Sequence, residues 1–220
     1  RGALALMART RANDFEEKRH QLLLSAANVF ATQGMEKASM SQIASEAGVS
    51  KSLLYHYYPS KDALIFAIIE THLEDLDAAL AEAHDPALPP EARLERLERS
   101  GAITGYTRLE RLVMTVLDAY RGADDLHKVQ LNAGPALSDA QKADLTGIER
   151  RIVKRFSAVI REIHPTLDTP DRPLLMPVTM SLFGMMNWVY MWFRDGGAIS
   201  REDYAHMATT LILEGVKAVK

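Results

Sequence analysis

The chain has 220 residues, 47% hydrophobic and 25% charged, values ordinary for a soluble globular protein with one or two real cores. Zero cysteines exclude disulfides and thiolate metal sites, and seven scattered histidines give no metal-ligand cluster. The net charge of −3 weighs against a nucleic-acid partner until it is divided: residues 1–61 carry +3 and the remainder −6.

Residues 1–14 read as a disordered arm. Ala3 to Met7 is too short for the apolar core of an export signal, and Arg9 and Arg11 follow on its wrong side, so the expected location is cytoplasmic. Met7 is read as a start. A helix is expected over 15–33. Leu22, Leu23, Ala26, Ala27 and Phe30 form its buried face, and Gly34 stops it. Lys18 and Arg19 near its start are solvated or meet phosphate.

The stretch 39–61, SMSQIASEAGVSKSLLYHYYPSK, reads as two short helices around a tight turn. Ser39 caps the first, where Ile43, Ala44 and Ala47 are apolar. Gly48 supplies the turn and Val49 plugs it. Ser50 caps the second, whose back is Leu54 and Tyr58. Lys51, Ser52 and Tyr55 lie on its front, with Leu53 and Tyr57 beside them. An apolar back with a polar, aromatic and cationic front suits a helix lying in a DNA major groove.

A long helix follows to residue 84, with Leu64, Ile65, Ile68, Ile69, Leu73, Leu76 and Leu80 as its stripe and Asp62 in its first turn. DPALPP (85–90) breaks the chain. From Glu91 to Tyr120 the pattern is helical but weakened at Gly101 and Gly105. A short helix is expected over 124–132, and a longer one from Asp139 to about 164 after a Ser138/Gln141 capping box. PTLDTPDRP is a loop. Residues 174–193 are nearly apolar all round. Pro177, Thr179, Ser181, Asn187 and the lack of a second span argue against a membrane, so the helix should be covered on every side. The last helix, capped by Ser200, carries Tyr204, Met207, Ala208, Leu211, Ile212, Gly215, Val216 and Val219. The expected fold class is all-α. The expected domains are the arm (1–14), a helix-turn-helix DNA-binding domain (15–61), a linking helix (62–84) and an effector-binding and dimerisation domain (85–220). No catalytic cluster, phosphate loop or cofactor motif is present in the sequence, so an enzyme is not expected.

The run I-A-x-x-A-G-V-S-x-x-x-L-Y-x-Y-Y-x-S-K from Ile43 to Lys61 resembles the DNA-binding region of TetR-type transcriptional regulators, and the likeness spans about 22–64. The resemblance implies a dimeric, ligand-controlled repressor of a palindromic operator. The alternatives are a ligand-independent architectural DNA-binding protein and a helical enzyme. It places Lys51, Ser52, Leu53 and Tyr55 on bases or the groove wall. Ser50, Tyr57, Lys61 and Gln42 then meet phosphates, with Ser39 at the same edge. It also implies a homodimer through the helices near 174–193 and 200–219.

A second likeness is looser. LFGMMNWVYMWFRDGGAIS (182–200), extended by HKVQLN (127–132), resembles members that answer to acyl-CoA thioesters in fatty-acid, steroid or phenylacetate degradation. Asn187 then finds its hydrogen bonds either in a neighbouring helix or in a thioester and pantetheine chain. Gly184, Trp188 and Met191 would line a slot. Tyr106, Arg108, Arg111 and Arg121 would face the cavity or its mouth, where arginine suits CoA phosphates. The expected effector is an acyl-CoA or aromatic acyl-CoA that loosens the operator complex.

Overall fold

The computed structural model describes residues 2–84 and 105–218, with side chains from Glu17 onward apart from His84, Tyr106 and Arg172. The DPALPP break and the pattern from Glu91 through Gly101 lie outside the described residues. The helices are α1 (Gly2–Gln33), α2 (Met40–Glu46), α3 (Lys51–Tyr57), α4 (Lys61–His84), α5 (Gly105–Ala119), α6 (Asp124–Asn132), α7 (Asp139–Ile163), α8 (Leu175–Asn187), α9 (Val189–Trp192) and α10 (Arg201–Ala218). Asp168–Thr169 and Arg172–Pro173 form a two-residue antiparallel ladder inside the expected loop. The fold is all-α.

Two compact units divide the chain, Arg1–His72 with Gly122–Leu145, and Leu73–Arg121 with Thr146–Lys220. This differs from the domain boundaries expected from the sequence: residues 122–145 fold with the N-terminal helices. The reason is visible in α6, which packs on α1 and buries His127 and Val129. Asn28 Nδ2 also donates to Asp125 Oδ2 at 2.9 Å.

In the first unit, α1 buries the expected Leu22, Leu23, Ala26, Ala27 and Phe30. It begins at Gly2, so the disordered arm expected over 1–14 is helical instead. Ala, Leu, Met and Arg dominate Ala3 to Ala12, and all are strong helix formers. Gly34 takes φ +84° after the last turn, where an L side chain would be strained. The backs of α2, α3 and α4 complete this core with Ile43, Ala44, Leu54, Tyr58, Leu64, Ile65, Ile68 and Ile69.

In the second unit, α5 presents Leu109, Leu112, Val113, Val116 and Leu117 to α8 and α10. Gly105 begins α5 and does not weaken its middle. A Cβ there would meet Ile163 Cγ1 at 2.5 Å, so glycine permits the close approach of α7. Phe156 meets Phe183 edge to face at 4.9 Å. On α4, Asp77 is buried and accepts from Arg151 Nε at 2.8 Å and Arg155 Nε at 3.0 Å. Burial alone would raise its pKa, but the hydrogen bonds and charges of the two guanidiniums outweigh it and hold the carboxyl below its usual value. Arg201 closes the turn before α10. Its Nη1 donates to Leu117 O at 2.9 Å, its Nε and Nη2 reach Asp195, and its guanidinium covers the Phe193 ring at 4.9 Å.

The single helix expected over 174–193 breaks at Trp188, separating α8 from α9. Beyond the break, Met191 N donates to Trp188 O, a bond of the tighter 3₁₀ type.

Candidate nucleic-acid interface and effector region

Two caps fix the turn-and-reader geometry. Gln42 N donates to Ser39 Oγ at 3.3 Å, and Ser39 N returns to Gln42 Oε1 at 2.9 Å, closing a capping box on α2. The amide NH₂ of exposed Gln42 still faces solvent as a donor. Gly48 adopts φ +65°, and Val49 N then donates back to Ala44 O. Ser50 Oγ accepts from Leu53 N at 3.1 Å, and a serine hydroxyl so engaged retains a proton to donate to phosphate.

This arrangement turns α3 with Leu54 fully buried and Lys51, Ser52, Leu53, Tyr55 and His56 exposed. Lys51 Nζ stands 5.9 Å from the centre of the Tyr55 ring. Lys51, Ser52, Leu53 and Tyr55, expected on the front, are thus all open to solvent. His56 is exposed beside Tyr55, and its ring meets Tyr57 edge to face at 5.8 Å. Tyr57 is half-buried and lines a groove of about 430 Å³ with Leu53, Val49 and Ala47 on one side. Glu17, Lys18, Gln21 and Leu22 of α1 form the other wall.

Lys61 departs from its expected role. Its ammonium donates to Met35 O at 2.7 Å, Glu36 O at 3.1 Å and Ala38 O at 3.4 Å. A lysine has three N–H donors, and the loop after α1 engages all of them. The residue braces that loop and has no donor left for a phosphate.

His72 and His127 are buried within the same unit. Burial, reinforced by His127, lowers the His72 pKa to about 4.

Asn187 Oδ1 accepts from Tyr120 OH at 3.1 Å, so its partner lies in a neighbouring element of the body. Burial raises the Tyr120 pKa, keeping the phenol protonated as that donor. Trp188 is 59% exposed and Met191 53%, and a Cβ at Gly184 would meet nothing within 4 Å. A helix apolar all round gives no sequence signal for which side is covered. Arg108 is paired with Glu162, and Arg121 Nη2 with Asp118 Oδ1 at 2.9 Å. Arg111 is half-buried, its Nη1 3.5 Å from Ala83 O. The Tyr106 side chain lies outside the described residues.

Beside exposed polar residues such as Glu202, Asp203, His206 and Glu214, α8 to α10 expose large apolar side chains: Met176, Met180, Trp188, Met191, Trp192, Met207 and Leu211. Met176, Met180, Gly184 and Trp188 recur every four residues, one stripe along α8. No described helix is long and apolar enough to cross a membrane. Among the described residues no three His, Cys, Asp or Glu side chains gather as a metal site.

Comparison with known proteins agrees with this geometry. Residues 22–68 match the model of the bacterial regulatory proteins of the tetR family, and residues 102–216 match that of the tetracyclin repressor-like C-terminal domain. The HTH-type transcriptional activator FasR of Mycolicibacterium smegmatis is 40% identical over 68 residues, which span 31% of this chain and 31% of FasR. The HTH-type transcriptional repressor KstR2 of the same organism is 22% identical over 90% of each chain. Among solved structures, AibR in complex with isovaleryl coenzyme A and operator DNA superposes with a TM-score of 0.69 at 20% identity. That likeness covers 88% of this chain and 97% of AibR, and it bears on the fold alone. The C-terminal model by itself covers more than half of the sequence, and these relatives are transcriptional regulators, not enzymes: the chain belongs to the tetR family of bacterial regulatory proteins.

Proposed function

We propose that this protein is a cytoplasmic transcriptional regulator that binds a palindromic DNA operator as a homodimer and represses, with a small apolar effector releasing it. The exposed front of α3 carries this reading. Lys51, Ser52 and Tyr55 offer cationic, hydroxyl and aromatic contacts, Leu53 offers a surface for a thymine methyl, and Leu54 anchors the helix behind them. Ser39, Gln42, Ser50 and Tyr57 lie at the edge of that front, where phosphates would run. The apolar stripe on α8 and the exposed Met207 and Leu211 on α10 support a four-helix contact between two copies. Relatives act in both directions, FasR as an activator and KstR2 as a repressor; KstR2 is the one aligned over nearly the whole chain.

For the effector we propose an acyl-CoA thioester. The likeness of 182–200 to acyl-CoA-responsive regulators supports it. The protein partners held by Asn187, Arg108 and Arg121 favour a ligand-independent regulator instead. Selection of a bound site from random DNA, followed by release assays with short, long and aromatic CoA thioesters and their free acids, decides between them. An effector shifts binding only if it prefers one protein state. Release by a thioester but not by its acid supports the first reading. Indifference to the whole panel leaves the ligand-independent one.

A further inference from the structure

The stripe along α8 has a symmetry of its own. Met176, Met180, Gly184 and Trp188 lie at four-residue intervals, and Trp192 of α9 follows at the same interval in sequence. Gly184 stands at the centre, with two methionines before it and two tryptophans after it. These four large side chains are each between 44% and 59% exposed, and the glycine leaves a gap in their row. No residue of α8 is charged. The flanks are charged and opposite in sign. Asp171 precedes α8 and Arg194 follows α9; both are exposed, and neither side chain has an ion pair or hydrogen bond among the described residues.

We infer that the two-fold axis of the homodimer passes beside Gly184, with α8 antiparallel to the α8 of a second copy, so that Met180 packs on the partner's Trp188 and Met176 on the partner's Trp192. The inference rests on the homodimer proposed above and fixes its register. In a two-fold contact residue i meets j and j meets i, so positions equidistant from the axis are paired. Met180 and Trp188 lie about 6 Å along the helix on either side of Gly184. A thioether sulfur against an indole ring is a favourable contact. A parallel pair would set tryptophan on tryptophan, and would bring Asp171 to Asp171 and Arg194 to Arg194. The antiparallel pair brings Asp171 towards the partner's Arg194 instead. Four-residue ridges pack on each other at a crossing angle of about −50°, and a glycine at the crossing point lets the two backbones approach closely. With Met191, Met207 and Leu211, the exposed side chains contribute a large part of the roughly 800 Å² per partner that a standard interface buries.

The test exploits a chain without cysteine. A disulfide needs Cα atoms about 4.4–6.8 Å apart, a distance that a residue beside the axis meets against its own copy. In the full-length chain, Gly184→Cys should therefore form a linked dimer under mild oxidation with diamide. Lys142→Cys, exposed on α7, gives the rate of random collision. Met180→Cys and a size-tagged Trp188→Cys are then mixed, allowed to exchange subunits and treated with a short bis-maleimide. They should link to each other and not each to itself. Gly184→Leu should raise the dimer dissociation constant about tenfold or more by holding the helices apart. A sedimenting dimer in which Gly184→Cys links no faster than Lys142→Cys overturns the register, as does Met180→Cys linking to itself. If reduced Gly184→Cys is monomeric, the mixed pair decides. A parent chain that sediments as a monomer removes the homodimer, and the register with it.

Discussion

On α3 the exposed Leu53 and Tyr55 are interleaved with Lys51, Ser52 and His56, whereas α8 to α10 expose seven large apolar side chains, Met176, Met180, Trp188, Met191, Trp192, Met207 and Leu211. Both regions leave large side chains in water, but for different partners. A nucleic acid presents phosphates and base edges, so its reader must mix donors and cations with apolar contact. A second copy of the chain presents the same apolar stripe, and two such stripes gain by excluding water from each other. Under the proposed function, the contrast puts recognition in one unit and assembly in the other.

The sharpest way to break the contrast is to place charge on the apolar side. Leu211→Glu or Trp188→Glu would bury an unpaired carboxylate twice in a two-fold interface. Either should raise the dimer dissociation constant by about a thousandfold or more, a shift of roughly 4 kcal/mol, read by sedimentation. Leu211 is suited to this test because it is 54% exposed, while its neighbour Ile212 is buried core. A dimer that survives both substitutions would move the interface elsewhere.

A second experiment examines the interior of the reader unit. The folded-state pKa of His72 is lowered to about 4, so the unfolded chain takes up that proton first. Its contribution to stability is therefore intact above about pH 6.5 and is lost as pH falls towards 4, by up to about 3 kcal/mol. Melting followed from pH 7.5 to 4.5 should show His72→Gln with a shallower decline than the parent. Parallel curves would remove His72 from the account.

Tyr55→Ala acts on recognition itself. It should weaken the selected operator by about 1–3 kcal/mol while leaving random duplex nearly unchanged. Equal losses on both would reduce Tyr55 to a backbone contact. The smallest effect on binding is expected at Lys61. Its ammonium is held by three carbonyls, so Lys61→Ala should leave the salt slope unchanged and cost about 1 kcal/mol of stability. A slope reduced by one unit would restore it as a phosphate contact.

The reader was the most legible part of the sequence because its signals are local. Ser39 with Gln42, Gly48 and Ser50 each act within three or four residues, and the back formed by Leu54 and Tyr58 follows from spacing. Caps at Ser138 and Ser200 were equally plain. What escaped depends on distant pairing. Asn187 meets Tyr120 across 67 positions, and Lys61 meets carbonyls 23 to 26 positions earlier. The fold of 122–145 with the N-terminal helices rests on the packing of α6 against α1, which no periodicity reveals.

The mass of the protein–DNA complex tests the central claim most directly. Sedimentation of the full chain on its selected site should show two protomers per duplex. The site should contain half-sites centred about 34–36 Å apart or a multiple of that repeat. One protomer per duplex, or no sequence enriched by selection, would contradict a two-fold regulator that reads DNA through α3.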